Sequence, residues 1–527
     1  MNSPAHARML AAFAGALLLA VNAASAAPPQ PVSLFSDHMV LQRNADVTVW
    51  GTADAGAEVK VSFAGQTATA KVDGDGHWKV GLKPLKASTE PQSMTISADG
   101  KTVTIANVLV GDVWVGSGQS NMAGRAASYA KNDETLAALV KQGSFPQIRL
   151  MEGGLKPAWR ETTAETMPRA SALLFPFGER LQRERGVPIG LILGAVGGTP
   201  SGYWIPSETF ASSEKCKASI AEFSQTYDPA RGQKLHEAKL AAWEKAVEAA
   251  KAAGKKPRTR KPAPPVGPGE SLRGGKIGGL FDRQIRSVAG YRIKGVLWDQ
   301  GEARSGVQGV DQYVMMSELI RGWRDLWGQG DFPFLFVQKP SGGGNAFSND
   351  NPITRNGEKF SAIPQAANQA AMSGAQRFLY VRLMRDNPNA FMVPASDLGA
   401  NIHPSNKWGY GNRAAEVALS EVYKDGTQAY GPMYRSHKID GNKVIVSFDQ
   451  IGKGLTVAHS DALQGFALAG KDGTWTWADA KLDGDTVVVW SDKVPVPVGV
   501  RYAFAAKRQW ANLFNKDGLP ATVFSTP

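Results

Sequence analysis

The sequence contains a single cysteine in 527 residues. Cys216 has no partner for an intrachain disulfide, so in an oxidising compartment the fold must be held by burial rather than by cross-links. Histidine is also scarce, at seven. One of these, His6, lies in the N-terminal leader. The others form no two-histidine helical motif and adjoin no cysteine cluster, which removes the usual signatures of a catalytic metal. A phosphate-loop lysine pattern is missing, and the Gly197-Gly198-Thr199 turn lacks the spacing of a dinucleotide fingerprint. No cofactor and no metal are therefore expected. Beyond the leader, no apolar run approaches the roughly 20 residues that a membrane span needs.

What is present is an ordinary globular composition, 43% apolar and 20% charged, in a chain too long for one core. At roughly 100 to 200 residues per folding unit, about three units are expected. Residues 1–26 read as a secretory signal, with Arg8, an apolar run from Met9 to Val21, and a small-residue end at Ala24-Ser25-Ala26. The mature chain is expected to begin near Ala27 and to be periplasmic or secreted. A net charge of +12 raises the possibility of a nucleic-acid partner, but the basic residues are dispersed except between Lys255 and Lys261. That run follows an expected helix from Gln233 to Ala253, with Leu240, Trp243 and Val247 on one face, and precedes the proline-rich stretch Pro262 to Pro268. It reads as a solvated loop, and no nucleic-acid partner is expected.

Residues 27–107 alternate with period two between Gly and Asp turns: Val47 to Trp50, Glu58 to Phe63, Thr67 to Val72 and His77 to Val80. This predicts a small β-sandwich, with Asp73-Gly74-Asp75-Gly76 as a hairpin connection. Residues 108–424 change to short continuous apolar runs separated by helical patterns, the signature of an α/β unit whose parallel sheet is covered on both faces. The expected strands are Val108 to Val115, Pro188 to Ala195, Ile293 to Trp298, Pro333 to Gln338 and Phe391 to Pro394, with a helical, basic and proline-rich insertion near 229–275. From 425 to 527 alternation returns at Lys443 to Phe448, Thr474 to Trp477 and Thr486 to Trp490, predicting a second β-domain. Its tryptophans could stack on sugars, but burial in a sandwich core is the commoner use of their area.

The chemistry-bearing segments each follow one of the apolar runs, and in an open α/β sheet the site forms beyond the carboxyl ends of the strands. Gly118-Gln119-Ser120-Asn121-Met122 places a serine in a tight turn between a strand and a helix. Helix-start amides beside it could stabilise an oxyanion, while the alternative is an ordinary serine helix cap. A serine nucleophile needs a base, and His403, in the polar loop from Asp397 to Lys407, is the best candidate.

These residues resemble the bacterial sialate O-acetylesterases, a carbohydrate-esterase branch of the SGNH hydrolase superfamily. The resemblance is carried by Gly118 to Met122, Gly190 to Ile192 with Gly197 to Pro200, Gly295 to Glu302, and Ile402-His403-Pro404 with Asn406-Lys407. Residues 34–42, 500–503 and 515–521 extend it into the flanking regions. It implies a flavodoxin-like α/β hydrolase domain flanked by two β-sandwich domains, with Ser120 as nucleophile and His403 as base and then acid. It further implies an oxyanion hole from the Ser120 amide, an amide of Gly197 or Gly198, and the Gln300 side chain. Gln119, Asn121, Asp299, Glu302 and Arg304 are expected around the substrate, with Glu302 also read as a hydrogen-bonding group of the Gln300 loop. Family members often have an acid where this chain has Asn401, so Asp397 or a backbone carbonyl is expected to orient His403. Asp299 stands where tyrosine is usual and Ala303-Arg304 where Ser-Asn is usual, which tilts the expected substrate toward an acetylated plant polysaccharide such as xylan or xyloglucan over O-acetyl sialic acid. The other class of reading is a carbohydrate-binding protein that kept the fold without catalysis.

Overall fold

The computed structural model describes residues 27–256, 261–367, 371–505 and 507–527. The leader assigned to residues 1–26 and part of the basic run lie outside these described residues.

The first part of the chain forms two facing sheets. Strands 30–31, 47–52 and 77–82 make one, and 58–63, 66–71 and 88–98 belong to the other. Alternation is strict where a face is buried: Glu58–Phe63 places Val59, Val61 and Phe63 inside. The Asp73–Gly76 turn is not a hairpin. It carries the chain from one sheet to the other, since 66–71 pairs with 58–63 whereas 77–82 pairs with 47–52. Asp73 Oδ1 closes the turn by accepting the amides of Asp75 and His77.

Among the described residues, seven strands form the main path of an 11-stranded sheet and are numbered here in chain order: β1 Lys101–Gly118, β2 Phe145–Glu152, β3 Trp159–Thr162, β4 Ile189–Ala195, β5 Gly295–Asp299, β6 Phe334–Val337 and β7 Ala390–Val393. Their order is β3-β2-β4-β1-β5-β6-β7, parallel throughout except for the antiparallel edge strand β3. β1 is a single strand of 18 residues. Its first half pairs with 88–98 and its second half with β4 and β5, so the expected boundary at 107/108 falls inside one continuous strand. β2 and β3 were not expected, because Phe145–Glu152 and Trp159–Thr162 interleave charged residues with apolar ones at the sheet's edge.

The helices that matter below are α1 Ser120–Ala123, α2 Leu174–Arg185, α3 Pro229–Ala252, α4 Gln312–Trp327, α5 Ala371–Asp386 and α6 Lys407–Val417. Val296, Trp298, Phe334, Phe336 and Met392 face one layer with Met316, Leu319 and Trp323 of α4. Leu297, Leu335, Val337 and Val393 face the opposite layer with Phe177 of α2 and Tyr410 and Ala414 of α6. Burial on both faces is why these strands read as unbroken apolar runs. α3 buries no residue fully, consistent with an insertion on the periphery.

The final part contains two four-stranded antiparallel sheets and a two-stranded pair. Its tryptophans are packed to different depths. Trp510 is buried and packs edge-on against half-buried Trp477, while Trp475 lies beneath Arg501.

Candidate active site

β1 ends where the backbone must turn against the end of β5. Gly118 has a φ of 128°, and a Cβ there would stand 2.1 Å from the Asp299 carbonyl oxygen, so only glycine fits. The close approach is bonded: the Gln119 amide donates to that carbonyl at 2.8 Å, and the Val196 amide donates to the Gly118 carbonyl at 3.1 Å. The end of β1 is thus pinned between β4 and β5, and the next turn begins α1. The helix-cap alternative for Ser120 does not hold, since the cap position is Gln119 and no side chain caps the helix. Instead, Ser120 Oγ lies 2.7 Å from His403 Nε2, although the two are 283 residues apart in the chain.

His403 arrives on the loop between β7 and α6 and is exposed on its outer side. Asn401 Oδ1 accepts the His403 amide at 2.8 Å, a local turn bond that does not touch the ring. Asn121 Nδ2 donates to the Ile402 carbonyl at 2.9 Å, and Lys407 Nζ donates to Asn121 Oδ1 at 2.5 Å. Partial burial, and after it the Lys407 charge, lowers the imidazole pKa below its usual value. The neutral, base-competent ring is therefore the dominant form at neutral pH.

Four expected roles are not matched by the geometry, the first being that of Asn121 at the substrate, since its fully buried amide is spent on Ile402 and Lys407. Asp397 does not reach His403. It is wholly buried and forms a two-pronged pair with the Arg413 guanidinium at 3.0 and 3.1 Å, which fastens the loop after β7 to α6. Gln300 has no N–H to spare for an oxyanion: Nε2 donates to the Thr199 and Arg304 carbonyls at 3.2 and 3.1 Å. Its Oε1 accepts from Ser201 and Gln312, so the buried amide ties three segments together. Asp299 is not at a substrate border. It is completely buried, with Lys339 Nζ and the Tyr410 hydroxyl each at 2.8 Å.

Of the other expected residues, Gly197 lies beside the serine and Gln119 links Glu302 to the segment that carries it. Glu302 accepts from Gln119 Nε2 at 2.6 Å and pairs with Lys339 at 3.0 Å, so it supports the loop that carries Gln300. Arg304 is exposed and has a left-handed backbone with φ of 55°. Gly197 and Gly198 are exposed at the end of β4. A Cβ on Gly197 would stand 3.6 Å from the Ser120 Cβ, so the Gly197 backbone directly faces the nucleophile. Gly198 has φ of 73°, and its carbonyl accepts from Arg273 at 2.9 Å, which brings the return arm of the insertion to the edge of the site.

Lys339, Lys407 and Tyr410 were not singled out from sequence as site residues. Both lysines are fully buried. The signal available for Lys339 was its place just past the carboxyl end of the wholly apolar β6, where a charged side chain must find a buried partner. Among the described residues, no group of three or more His, Cys, Asp or Glu side chains is placed to hold a metal ion, and no helix is long and apolar enough to cross a membrane.

Residues 110–230 match the family model for carbohydrate esterases described as sialic acid-specific acetylesterase. The rat sialate O-acetylesterase is 27% identical over 341 residues, covering 59% of this chain and 60% of the relative. The human sialate O-acetylesterase is 25% identical over 418 residues, covering 71% and 67%. The chain thus spans about 60% of the length of the rat protein. A crystal structure of a carbohydrate acetylesterase from Xanthomonas citri superposes with a TM-score of 0.70 at 26% identity, covering 95% of this chain and 99% of that one. By these matches the chain is similar to the sialate O-acetylesterases and to a carbohydrate acetylesterase of known structure.

Proposed function

We propose that the protein is a secreted carbohydrate O-acetylesterase with an SGNH-type core, working through a serine acyl-enzyme. The observation that carries this reading is the 2.7 Å contact between Ser120 Oγ and His403 Nε2 at the carboxyl end of the parallel sheet. Ser120 follows β1, the Gly197-Gly198 turn follows β4, and His403 follows β7, so three strand ends supply the parts.

In this mechanism His403 removes the Ser120 proton as Oγ attacks the acetyl carbonyl. The Ser120 amide and an amide of the Gly197-Gly198 turn receive the oxyanion. Loss of one such donor typically costs roughly 100- to 1000-fold in turnover. Collapse expels the sugar oxygen, which takes the proton from His403, and the same imidazole then activates water to release acetate.

Burial of Asp299 removes half of the sequence argument for a plant polysaccharide, leaving exposed Arg304 as the departure on which it rests. Acetylated xylan or xyloglucan and O-acetyl sialic acid therefore stand as the two substrate classes. No carboxylate bonds to the His403 ring among the described residues, and that observation favours a second reading, a non-catalytic sugar-binding protein. Acetate release from acetylated xylan, xyloglucan oligosaccharides and 9-O-acetyl sialic acid, measured beside Ser120→Ala, separates the readings. Release from at least one substrate, abolished in the variant, is expected. Binding without serine-dependent release would establish the second reading.

A further inference from the structure

Without an acid on the imidazole, some other group must hold the His403 loop over the serine. The groups behind it form a closed, buried set. Lys407 begins α6, and its ammonium bonds Asn121 Oδ1 at 2.5 Å and stands over the rings of Tyr129 and Tyr410 at 4.6 and 5.2 Å. Asn121, also fully buried, spends an N–H on the Ile402 carbonyl at 2.9 Å. An amide has one acceptor end and one donor end. With Oδ1 held by the ammonium, the donor end is left to face Ile402. The residue after the nucleophile is thereby bonded to the residue before the base.

The charges facing this pair come from every neighbouring element. Asp299 ends β5, Glu302 follows it, Lys339 follows β6, and Asp133 accepts the Trp408 amide at 2.8 Å. Burial, opposed by Asp299 and reinforced by Lys339, pushes the Lys407 pKa down to about 7. Its charge is the largest influence on His403 after burial.

We propose that Lys407 and Asn121 are the positioning residues of this site: Lys407 orients the Asn121 amide, and Asn121 fixes the Ile402–His403 peptide so that the imidazole stays on the Ser120 hydroxyl. The kinetic consequence rests on the esterase reading, whereas the link between Lys407 and His403 does not.

Two measurements test it. The first is NMR titration of the His403 ring in a Ser120→Ala background, assigned by comparison with His403→Gln, and it needs no activity. Lys407→Met removes a neighbouring positive charge, so the His403 midpoint moves up. An unchanged midpoint overturns the link. If Lys407→Met does not fold, Lys407→Gln, which keeps an N–H for Asn121 but no charge, carries the same titration.

The second is Asn121→Asp, which changes one atom, removes the N–H to Ile402 and keeps an acceptor for Lys407. It lowers kcat by about 100-fold with KM within about twofold, the pattern of a misplaced reacting group. Wild-type kcat in this variant overturns the positioning role. If the unmodified protein releases no acetate from any substrate, the esterase reading fails while the titration still decides the Lys407–His403 link.

Discussion

The Asp397→Ala substitution discriminates sharply between two accounts of the same carboxylate. If Asp397 oriented the base, its loss would resemble removal of a triad acid, about 10⁴-fold in turnover or roughly 5 kcal/mol of transition-state stabilisation, with stability little changed. The structure puts the energy elsewhere. Both oxygens are on Arg413, the pair is buried on both sides, and the shorter distance is 3.0 Å. Removing one partner of such a pair costs about 3 to 5 kcal/mol because a charge is left unpaired. Arg413 keeps Glu416 at 3.3 Å, so the low end, about 3 kcal/mol, is expected. That is a large part of the roughly 5 to 15 kcal/mol that holds a typical domain together.

The assay is urea unfolding followed by tryptophan fluorescence, alongside acetate release per active site titrated with a serine-reactive phosphonate in the cold. A lowered unfolding midpoint with turnover per titrated site within about tenfold of the unmodified protein is expected. Turnover per site reduced 1000-fold or more at an unchanged midpoint would refute the structural account. Asn401→Ala, which loses only one local amide bond, should cost about 1 kcal/mol and little turnover.

Three further outcomes follow from the same geometry. The competent form of His403 is the neutral ring, and its pKa lies below the ordinary 6.5, so the acid limb of kcat/KM should be centred below 6.5, with any change through neutral pH belonging to Lys407, whose pKa is about 7. An acid limb centred at or above 6.5 would count against His403 in this environment. Gly118→Ala forces a methyl to 2.1 Å from a neighbouring strand's carbonyl at a φ of 128°; a loss of about 3 kcal/mol or more, visible as insolubility or a lowered unfolding midpoint, is expected, and wild-type stability would contradict the strand-end packing. Asp299→Asn weakens the Lys339 pair and should destabilise by about 2 to 4 kcal/mol without changing KM selectively between acetylated sugars. A substrate-selective KM change at unaltered stability would return Asp299 to the substrate border.

The legible parts of this protein were those set by local pattern. Strands buried on both faces, such as Phe334–Val337, announce themselves as apolar runs, and Glu58–Phe63 does so by strict alternation. The glycine-flanked Ser120 and the polar loop of His403 were visible because tight turns and strand-end loops need particular residue types. The charged strand 145–152 and its edge neighbour 159–162 were not, because their apolar positions are interrupted and their pairing partners are supplied only by the assembled sheet.

Sequence alone therefore determined the α/β centre and the flanking β regions, and it picked out a serine and a histidine whose side chains meet. Only tertiary structure decided what the other polar residues do. Asp397 lies closer in sequence to His403 than to Arg413, yet its carboxylate belongs to Arg413. Asp299 pairs with Lys339, 40 residues away, instead of lining an opening. Gln300 spends both ends of its amide on the backbone and side chains around it. The reason is physical. A backbone pattern follows from near neighbours along the chain, whereas a buried charge or amide is committed to whichever partner the packed fold brings within hydrogen-bond reach.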